Sequence, residues 1–391
     1  MKRIGLDGRA LESNFKAHAS RGTGRYVQEV LKQLLDYSDE EFNFGLFRSA
    51  DLQLSDGQEG ILEKLPYGRR TVENQLFSPA KLNKLPFDVL HFFSHCDAPA
   101  WFVKPYMLTV LDLIPLKFPE MYRAQKPSWR FNMARWLENK AAKHAQGIFT
   151  ISESTARDLV EILDYPPQKV QVTYLAVDEQ FRPLASTVEE RRFKQGQLKR
   201  QLGYAELESM LLYVGGIDPR KNVSFLIELF AAFLQTHRGA CNPKLVIVGR
   251  IEADDQYPLL LAKIKECQVE ESVKLVGYVP DEQLYAYYQA ADVFIFPSLY
   301  EGFGLPVLEA MACGTPVLAG NNSSLPEVMG PESLRLNDND LAEWHKALSA
   351  TIEKVEMHAH LSEIGLRQAQ QFSWEKTADS MITGYKRFLC E

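Results

Sequence analysis

The residues best suited to chemistry are two glutamates in the segment YEGFGLPVLEAMACGTPV, which spans residues 300–317. Glu301 and Glu309 are eight positions apart, and at about 1.5 Å per helical residue they would be separated by on the order of 10 Å. They therefore cannot act as one catalytic pair and would hold two different places on a ligand. Gly302 and Gly304, which lie beside Glu301, free the backbone to approach that ligand closely.

The same segment predicts the start of a helix. Pro306 suits the first turn of a helix over Val307–Cys313, which follows a strand ending at Pro297. Unpaired N–H groups and the positive end of the helix dipole would stabilise a diphosphate at this point. A nucleotide sugar offers hexose hydroxyls at one end, a ribose diol at the other and phosphates between, which matches two separated acids. A turn and a helix with solvated carboxylates is the alternative interpretation.

A second motif, GGIDPRKN over residues 215–222, follows the strand LLYV and precedes an amphipathic helix. It places Arg220 and Lys221 at a strand-to-helix turn. Two fixed cations there would offset the negative charge that builds on a departing phosphate. A solvated basic turn is the alternative.

Glycines near the N-terminus predict a weaker anion site. The first strand ends in Asp7, Gly8 and Arg9, and the segment SRGTGRY supplies Gly22 and Gly24 just before a helix. This pattern resembles a backbone-amide cradle for an anion, although glycines in a plain loop explain it equally well.

Two further groups of polar residues are weaker candidates. His91 and His95 lie near the end of another strand, where a histidine satisfied by structural hydrogen bonds is commoner than a functional one. The segment 338–340, Asp-Asn-Asp, formally matches the Asp-x-Asp motif of metal-dependent transferases, but it opens a helix and is better explained as a helix cap.

Short apolar runs alternate with helical periodicity in both halves of the chain, which predicts an α/β fold of two Rossmann-like doubly wound domains facing a central cleft. The polar, charge-dense stretch 179–208 predicts the connection between them. We expect an N-terminal domain over 1–185, a C-terminal domain over 205–370 and a final helix over 371–391 that packs back on the N-terminal domain. In such a fold the ligand site is expected between the two domains, at the carboxyl ends of the strands.

Composition excludes several classes of protein. The 391 residues are 46% hydrophobic and 24% charged, which is typical of a folded globular protein and not of a disordered or fibrous one. A formal charge of -7 argues against a nucleic-acid partner. Five scattered cysteines predict neither a disulfide framework nor a zinc site, and they suit a reducing cytoplasm. No apolar run reaches the roughly 18–20 residues that cross a bilayer, and the start MKRIGLDGRALES does not read as a secretory signal.

Taken together, these motifs resemble the retaining glycosyltransferases of the GT-B fold, specifically glycosyltransferase family 4. The segment YEGFGLPVLE carries the family's Glu-x7-Glu element, and PRKN carries its phosphate-binding basic pair. DGR followed by GTGRY is similar to the N-terminal pattern of bacterial mannosyltransferase-like members. LYAYYQAADVFIFPS, SSLPEV and FSWEKTA also resemble family segments, in the expected order.

The resemblance implies a role for each matched residue. Glu301 would contact the hydroxyls of the donor sugar, and Glu309 would hold the ribose diol. Arg220 and Lys221 would hold the diphosphate. Further donor-binding positions are expected at Gly22, Gly24, Gly216, Gly302, Phe303, Gly304 and Leu305.

One position departs from the family pattern. The segment TVLDLIPLKFPE resembles a family segment that usually has histidine before the aspartate, and this position is Leu111 here. No catalytic imidazole can therefore be assigned there. Asp112 remains a catalytic candidate that would hydrogen-bond the acceptor hydroxyl or the donor sugar, with a turn or cap role as the alternative.

The activity implied is transfer of a hexose, with retention at the anomeric carbon, to a saccharide or lipid-linked saccharide acceptor in bacterial surface polysaccharide or lipopolysaccharide assembly. GDP-mannose is the preferred donor, with UDP- and dTDP-sugars as alternatives, and no cofactor or obligatory metal is expected. A catalytically silent nucleotide-sugar-binding protein is the second hypothesis, because of Leu111; an epimerase or a phosphorylase of the same fold is the third. The protein is expected in the cytoplasm.

Residues 122–144 raise the question of membrane contact. Aromatic and basic side chains alternate there, as in a segment that lies on an anionic membrane surface. Such contact would place the protein on the inner face of the cytoplasmic membrane. A core helix with a solvated basic side is the alternative.

Overall fold

The computed structural model describes residues 1–12, 22–37, 40–52, 73–101, 104–123, 129–238 and 243–390. The chain divides into two compact units. The N-terminal unit comprises Met1–Leu175 and Trp374–Glu391, and the C-terminal unit comprises Ala176–Ser373.

Each unit holds a six-stranded parallel sheet within the described residues. In the N-terminal unit the strand order is β2-β1-β3-β4-β5-β6. Its strands are β1 Lys2–Asp7, β2 Phe42–Phe47, β3 Val89–Phe92, β4 Tyr106–Val110, β5 Gly147–Thr150 and β6 Val170–Val172. Its α-helices are Gly22–Asp36, Ser78–Leu82, Ile114–Lys117, Pro119–Arg123, Trp129–His144, Glu153–Leu163 and Trp374–Cys390.

In the C-terminal unit the strand order is β12-β11-β10-β7-β8-β9. Its strands are β7 Met210–Val214, β8 Lys244–Val248, β9 Val273–Gly277, β10 Val293–Phe296, β11 Val317–Gly320 and β12 Arg335–Leu336. Its α-helices are Val188–Gln201, Val223–Thr236, Tyr257–Glu266, Asp281–Ala290, Leu305–Ala312, Leu325–Met329, Leu341–Glu353 and Val355–Ala369. A 3-10 turn covers Pro219–Lys221.

The predicted α/β class with two doubly wound parallel sheets is confirmed. Central strands such as β10 are apolar throughout and fully buried, as expected for strands covered on both faces. The helix Val223–Thr236 directs four apolar side chains into the core, where they have no exposed surface: Leu226, Leu229, Phe230 and Phe233.

The stretch expected to be an interdomain connection contains the helix Val188–Gln201, which groups with the C-terminal unit. Thr187 caps this helix by accepting a hydrogen bond from the backbone N–H of Glu190 at 3.3 Å. Buried Lys199 pairs with Asp292 at 2.6 Å. Polar and ionic contacts therefore hold the helix, so its sequence lacks the apolar periodicity by which a helix is recognised.

The last helix, Trp374–Cys390, groups with the N-terminal unit. Tyr385 of this helix is fully buried, and its ring centroid lies 5.2 Å from the ring centroid of Phe149 in β5. Thr377 Oγ1 donates to the carbonyl of Tyr174 at 2.6 Å. Across the described parts of the chain, helices are too short or too polar to span a bilayer.

Candidate active site

The two predicted motifs of the C-terminal unit meet at one edge of its sheet. Strands β7 and β10 are parallel neighbours, with Leu212 opposite Phe294. The chain leaves β7 toward the turn Pro219–Lys221 and leaves β10 toward Ser298 and Glu301. Because parallel neighbours end at the same edge, these polar residues are brought together.

Glu301 lies between the two predicted cations. Its Oε2 is 2.9 Å from Arg220 Nη1 and its Oε1 is 2.7 Å from Lys221 Nζ. Ser298 Oγ donates a hydrogen bond to Glu301 Oε1 at 2.6 Å. The carboxylate is 11% exposed and the two cationic side chains 10% and 12%, so the interaction is shielded from solvent.

Arg220 is positioned by further contacts. Its Nη1 donates to the carbonyl of Tyr300 at 2.5 Å, and its Nε is 3.3 Å from Asp218 Oδ1. Lys221 Nζ lies 5.0 Å from the centre of the Phe296 ring, a cation–π distance. The cluster thus holds two cations and two carboxylates, of which Glu301 is 11% exposed and Asp218 is 36% exposed.

Burial raises the pKa of Glu301, because a charged carboxylate is poorly solvated there, but attraction to Lys221 and Arg220 outweighs this effect. Hydrogen bonds from Lys221 and Ser298 also lower the pKa of Glu301. The pKa of Glu301 therefore lies below its ordinary value, and the carboxylate is ionised at neutral pH.

The loop after Glu301 is fixed by two serines that the sequence analysis did not single out. Ser323 Oγ accepts from the backbone N–H of Glu301 at 2.9 Å, and Ser324 Oγ donates to the carbonyl of Phe303 at 2.7 Å. Both belong to SSLPEV, which was matched only as a family segment. Gly304 then adopts a φ of 102° as the N-cap of the helix Leu305–Ala312, a conformation that other residues adopt with strain.

Glu309 lies in that helix and is 3% exposed. Its Oε2 accepts a hydrogen bond from the hydroxyl of Tyr288 at 2.8 Å. Tyr288, fully buried, is another residue that sequence reasoning missed, because an aromatic at core spacing carries no sign of a polar role. Gly216 lies two residues after the end of β7, and its carbonyl accepts a hydrogen bond from the Tyr213 hydroxyl at 2.6 Å.

The Asp-Asn-Asp segment caps a helix. Asp340 Oδ1 accepts from the backbone N–H of Glu343 at 3.0 Å, at the start of the helix Leu341–Glu353. Asp338 Oδ1 accepts from Asn322 at 2.6 Å. The capping interpretation is confirmed; the need for a metal stays a separate prediction.

The N-terminal motif forms a buried ion pair. Arg9 Nη2 is 2.7 Å from Asp7 Oδ2, its Nε donates to Asp7 Oδ1 at 2.8 Å, and both residues are at most 3% exposed. Gly22 is exposed at the start of the helix Gly22–Asp36 and Gly24 is buried in its first turn, while residues 20 and 21 lie outside the described part. The Asp-Gly-Arg motif therefore has a structural role, since its side chains satisfy each other.

Asp112 and the two histidines also lie in the N-terminal unit. Asp112 Oδ1 accepts from the backbone N–H of Ile114 at 3.1 Å, which is a turn contact at the end of β4. His91 is fully buried, with Nε2 3.0 Å from Thr109 Oγ1 and Nδ1 hydrogen-bonded to the hydroxyl of Tyr385. His91 is thus a satisfied structural histidine.

The helix Trp129–His144 presents both exposed and buried side chains. Trp129 and Trp136 are 68% and 53% exposed, whereas Leu137 is buried. Lys140 Nζ lies 4.2 Å from the ring centre of Trp101. Residues 124–128 of the suggested membrane segment lie outside the described residues.

Comparisons with known proteins define the class. Residues 21–181 match the model for Glycosyltransferase Family 4, and residues 194–368 match the model for Glycosyl transferases group 1. The chain therefore belongs to the glycosyltransferases of the GT-B fold, with a family 4 region followed by a group 1 region.

Among individual relatives, the O-antigen chain mannosyltransferase B of Escherichia coli is 33% identical over 255 residues, which are 64% of each protein. The serotype-specific mannosyltransferase WbdA of Escherichia coli is 31% identical over 71% of this chain and 33% of that protein. The chain thus spans less than two thirds of the length of either relative. The solved structure of sucrose-phosphate synthase from Thermosynechococcus elongatus shares the fold, with a TM-score of 0.73 at 20% identity over 100% of both chains.

Proposed function

We propose that this chain is a retaining hexosyltransferase that transfers mannose from GDP-mannose to a saccharide or lipid-linked saccharide acceptor, in assembly of bacterial surface polysaccharide or lipopolysaccharide. The observation that carries the proposal is the shielded cluster of Arg220, Lys221 and Glu301 beside the start of the helix Leu305–Ala312. Similarity to an O-antigen chain mannosyltransferase and to a serotype-specific mannosyltransferase supports mannose as the sugar.

Donor binding exchanges partners within this cluster. Arg220 and Lys221 are paired with Glu301 and Asp218 in the structure. A diphosphate takes over both cations through charge-assisted hydrogen bonds. Glu301 is then released to accept hydrogen bonds from the sugar hydroxyls, while Gly302 and its neighbours approach the sugar through their backbone.

The rest of the donor is held by the positions around the cluster. Glu309 holds the ribose diol and Gly216 lies against the phosphates. Gly22 and Gly24 of the N-terminal unit are donor-binding candidates of the same proposal. Asp112 hydrogen-bonds the acceptor hydroxyl.

Transfer breaks the bond between the anomeric carbon and the phosphate oxygen and forms a bond from that carbon to the acceptor oxygen on the same face. The departing phosphate oxygen takes the acceptor proton, so no protein nucleophile is needed. Arg220 and Lys221 stabilise the charge that develops on the leaving diphosphate. No metal is required, so activity should survive EDTA; loss that only Mn²⁺ or Mg²⁺ restores would contradict this part of the proposal.

A donor screen tests the choice of nucleotide. GDP, UDP, dTDP and ADP and their common sugars are compared by the rise in melting temperature, because a ligand at about 100 times its dissociation constant adds roughly 2.7 kcal/mol of stability. A selective GDP-mannose response is expected. A UDP- or dTDP-selective response would replace the donor but keep the reaction.

A catalytically silent sugar-nucleotide-binding protein is the second candidate, and Leu111 favours it. Such a protein would gain heat stability with a donor present but release no nucleoside diphosphate with any acceptor. We further propose that the protein works in the cytoplasm, at the inner face of the membrane, through the helix Trp129–His144. Failure to co-sediment with vesicles of anionic lipid at low salt would exclude the membrane contact.

A further inference from the structure

A second polar cluster lies in the N-terminal unit, where β3 and β4 end. These strands are parallel neighbours, so the residues that follow them project from the same edge of the sheet. His95 follows β3 and Asp112 follows β4. The helix Trp129–His144 adds Glu138, whose Oε2 is 3.9 Å from His95 Nε2.

His95 has an unused hydrogen-bonding atom. Its side chain is 13% exposed, and Nε2 faces Glu138 and the thiol of Cys96, which is 3.7 Å away. Nδ1 is buried and has no hydrogen-bond partner among the residues that the structure describes. A buried polar atom without a partner costs about 1–3 kcal/mol, so a hydrogen bond from Nδ1 to a ligand would be favourable.

The protonation state of His95 makes Nδ1 a hydrogen-bond donor. Burial lowers the pKa of His95, but its interactions with Cys96, Glu138 and Asp112 outweigh burial and raise the pKa to about 9. Both ring nitrogens therefore carry protons at neutral pH, and neither is a base.

Asp112 supplies the complementary acceptor. Its Oδ1 is used by the backbone N–H of Ile114, whereas within the described ranges its second oxygen has no hydrogen-bond partner. It is close enough to act electrostatically on His95. A donor on His95 and an acceptor on Asp112, which acts on it electrostatically, suit the hydroxyls of a saccharide, each of which both donates and accepts.

The helix that carries Glu138 also has exposed aromatic surface. Trp136, two residues before Glu138, packs its ring 5.8 Å from that of Trp101, and the two are 53% and 42% exposed.

A metal ion is the competing occupant, because ligand atoms of His95, Cys96 and Glu138 lie within 4.8 Å of one another. Nitrogen, sulfur and oxygen donors suit zinc. However, Arg135 Nη2 lies 2.5 Å from Glu138 Oε1, and its fixed positive charge opposes a divalent cation there. A neutral, hydroxyl-rich ligand fits the cluster better.

We propose that His95 and Asp112 form a saccharide-binding site, in which Nδ1 of His95 donates to one hydroxyl and the second oxygen of Asp112 accepts from its neighbour. The ligand is the acceptor saccharide, so this assignment rests on the proposed transferase function. It also accounts for Leu111: the imidazole that position 111 lacks comes from the end of β3 and acts beside the same aspartate.

The binding test uses the full chain with nitrogen-labelled histidine and three probes, methyl α-mannopyranoside, methyl α-glucopyranoside and N-acetylglucosamine. We expect at least one probe to shift the ring-nitrogen resonances of His95 and to leave those of exposed His360 unchanged. No shift at His95 with any probe would overturn the assignment.

Two substitutions separate binding from structure. His95→Asn keeps an N–H near the position of Nδ1, whereas His95→Leu removes it. We expect saccharide affinity to fall at least about tenfold in His95→Leu and less than about threefold in His95→Asn. The surface control is His360→Leu. Equal losses in both variants, together with equal losses of melting temperature, would show a structural role and overturn the proposal.

Two other outcomes remain distinct. Stoichiometric binding of Zn²⁺ that Cys96→Ser abolishes would replace the saccharide site with a metal site. Saccharide binding at His95 without glycoside formation from any nucleotide sugar would contradict the transferase function but not saccharide binding at His95.

Discussion

Glu301 has two tasks that compete for one carboxylate. It forms ion pairs with Arg220 and Lys221, at 2.9 and 2.7 Å, and it is the residue proposed to bind the donor sugar. The family resemblance predicted the second task alone. The first became visible only in the structure, because no sequence spacing relates positions 220 and 301.

Glu301→Gln should separate these tasks. Without the carboxylate, two shielded cations lose a partner, so the ligand-free protein should melt at a lower temperature. Free GDP should bind about threefold to tenfold more tightly, because it no longer competes with the carboxylate, while transfer should fall by about a hundredfold or more. Titration calorimetry and a GDP-release assay measure both, with exposed Glu356→Gln as control. Weaker GDP binding in Glu301→Gln would contradict the exchange of partners.

Lys221→Ala should lower turnover by on the order of a hundredfold, because it removes stabilisation of the charge on the departing diphosphate. Steady-state kinetics at saturating donor measures this change. Lys346, an exposed lysine of the same unit, provides the matched control Lys346→Ala. Unchanged turnover in Lys221→Ala would remove its assigned role.

Glu309→Ala should weaken donor binding more than it slows the chemical step, because Glu309 is assigned to the ribose diol and not to the reacting carbon. The dissociation constant of the donor and the turnover at saturating donor are compared. Tyr288 loses its hydrogen bond to Glu309 in this variant, so melting temperature is measured as well. A larger effect on turnover than on donor affinity would contradict the assignment of Glu309 to the ribose diol.

At the scale of elements, the alternation of apolar runs and helical periodicity predicted the α/β class, and Pro306 predicted a helix over Val307–Cys313, one to two residues from the observed ends of Leu305–Ala312. Apolar periodicity did not predict the helix Val188–Gln201. This helix is held by the Thr187 cap and the Lys199–Asp292 ion pair rather than by a buried apolar face. Apolar periodicity could not find Ser298, Ser323 or Tyr288 as parts of the site, since their partners are brought together by packing of strands distant in sequence.

Gly304→Ala tests whether the loop before the helix Leu305–Ala312 positions the site. A φ of 102° is strained for alanine, and its Cβ would lie 2.8 Å from Leu325 Cδ2. We expect a loss of roughly 1–3 kcal/mol in the free energy of unfolding and weaker donor binding. Urea unfolding and donor titration measure the two effects. The control is Gly22→Ala, because nothing lies within 4 Å of the added methyl group. We expect this variant to keep the free energy of unfolding of the wild type. An equal loss in Gly22→Ala and Gly304→Ala would contradict the explanation by backbone strain.

At the scale of the whole molecule, the last helix completes the N-terminal unit through a buried polar contact. His91 of β3 hydrogen-bonds the hydroxyl of Tyr385 and lies 4.4 Å, ring centre to ring centre, from Phe93. Burial lowers the pKa of His91 to about 3, because the charged imidazolium is poorly solvated there. Stability of this unit is therefore linked to pH.

The sign follows from the two pKa values. In the unfolded chain His91 titrates near its ordinary value of about 6.5, whereas in the folded chain it stays neutral to about pH 3. Its contribution is complete above about pH 6.5 and is lost as pH falls toward 3, by up to about 1.4 kcal/mol per pH unit. Urea unfolding at several pH values should show a shallower slope in His91→Gln and the wild-type slope in His360→Gln. Equal slopes in wild type and His91→Gln would contradict the assignment.

The most direct test of the central claim is formation of a glycoside. The full chain is incubated with GDP-mannose and the saccharide probes, and the products are identified by mass spectrometry and by the anomeric proton signal. We predict an α-mannoside in amounts equal to the GDP released, with Lys221→Ala nearly inactive and Lys346→Ala unaffected. Binding of donor and saccharide without a glycoside from GDP-, UDP-, dTDP- or ADP-sugars would contradict the account.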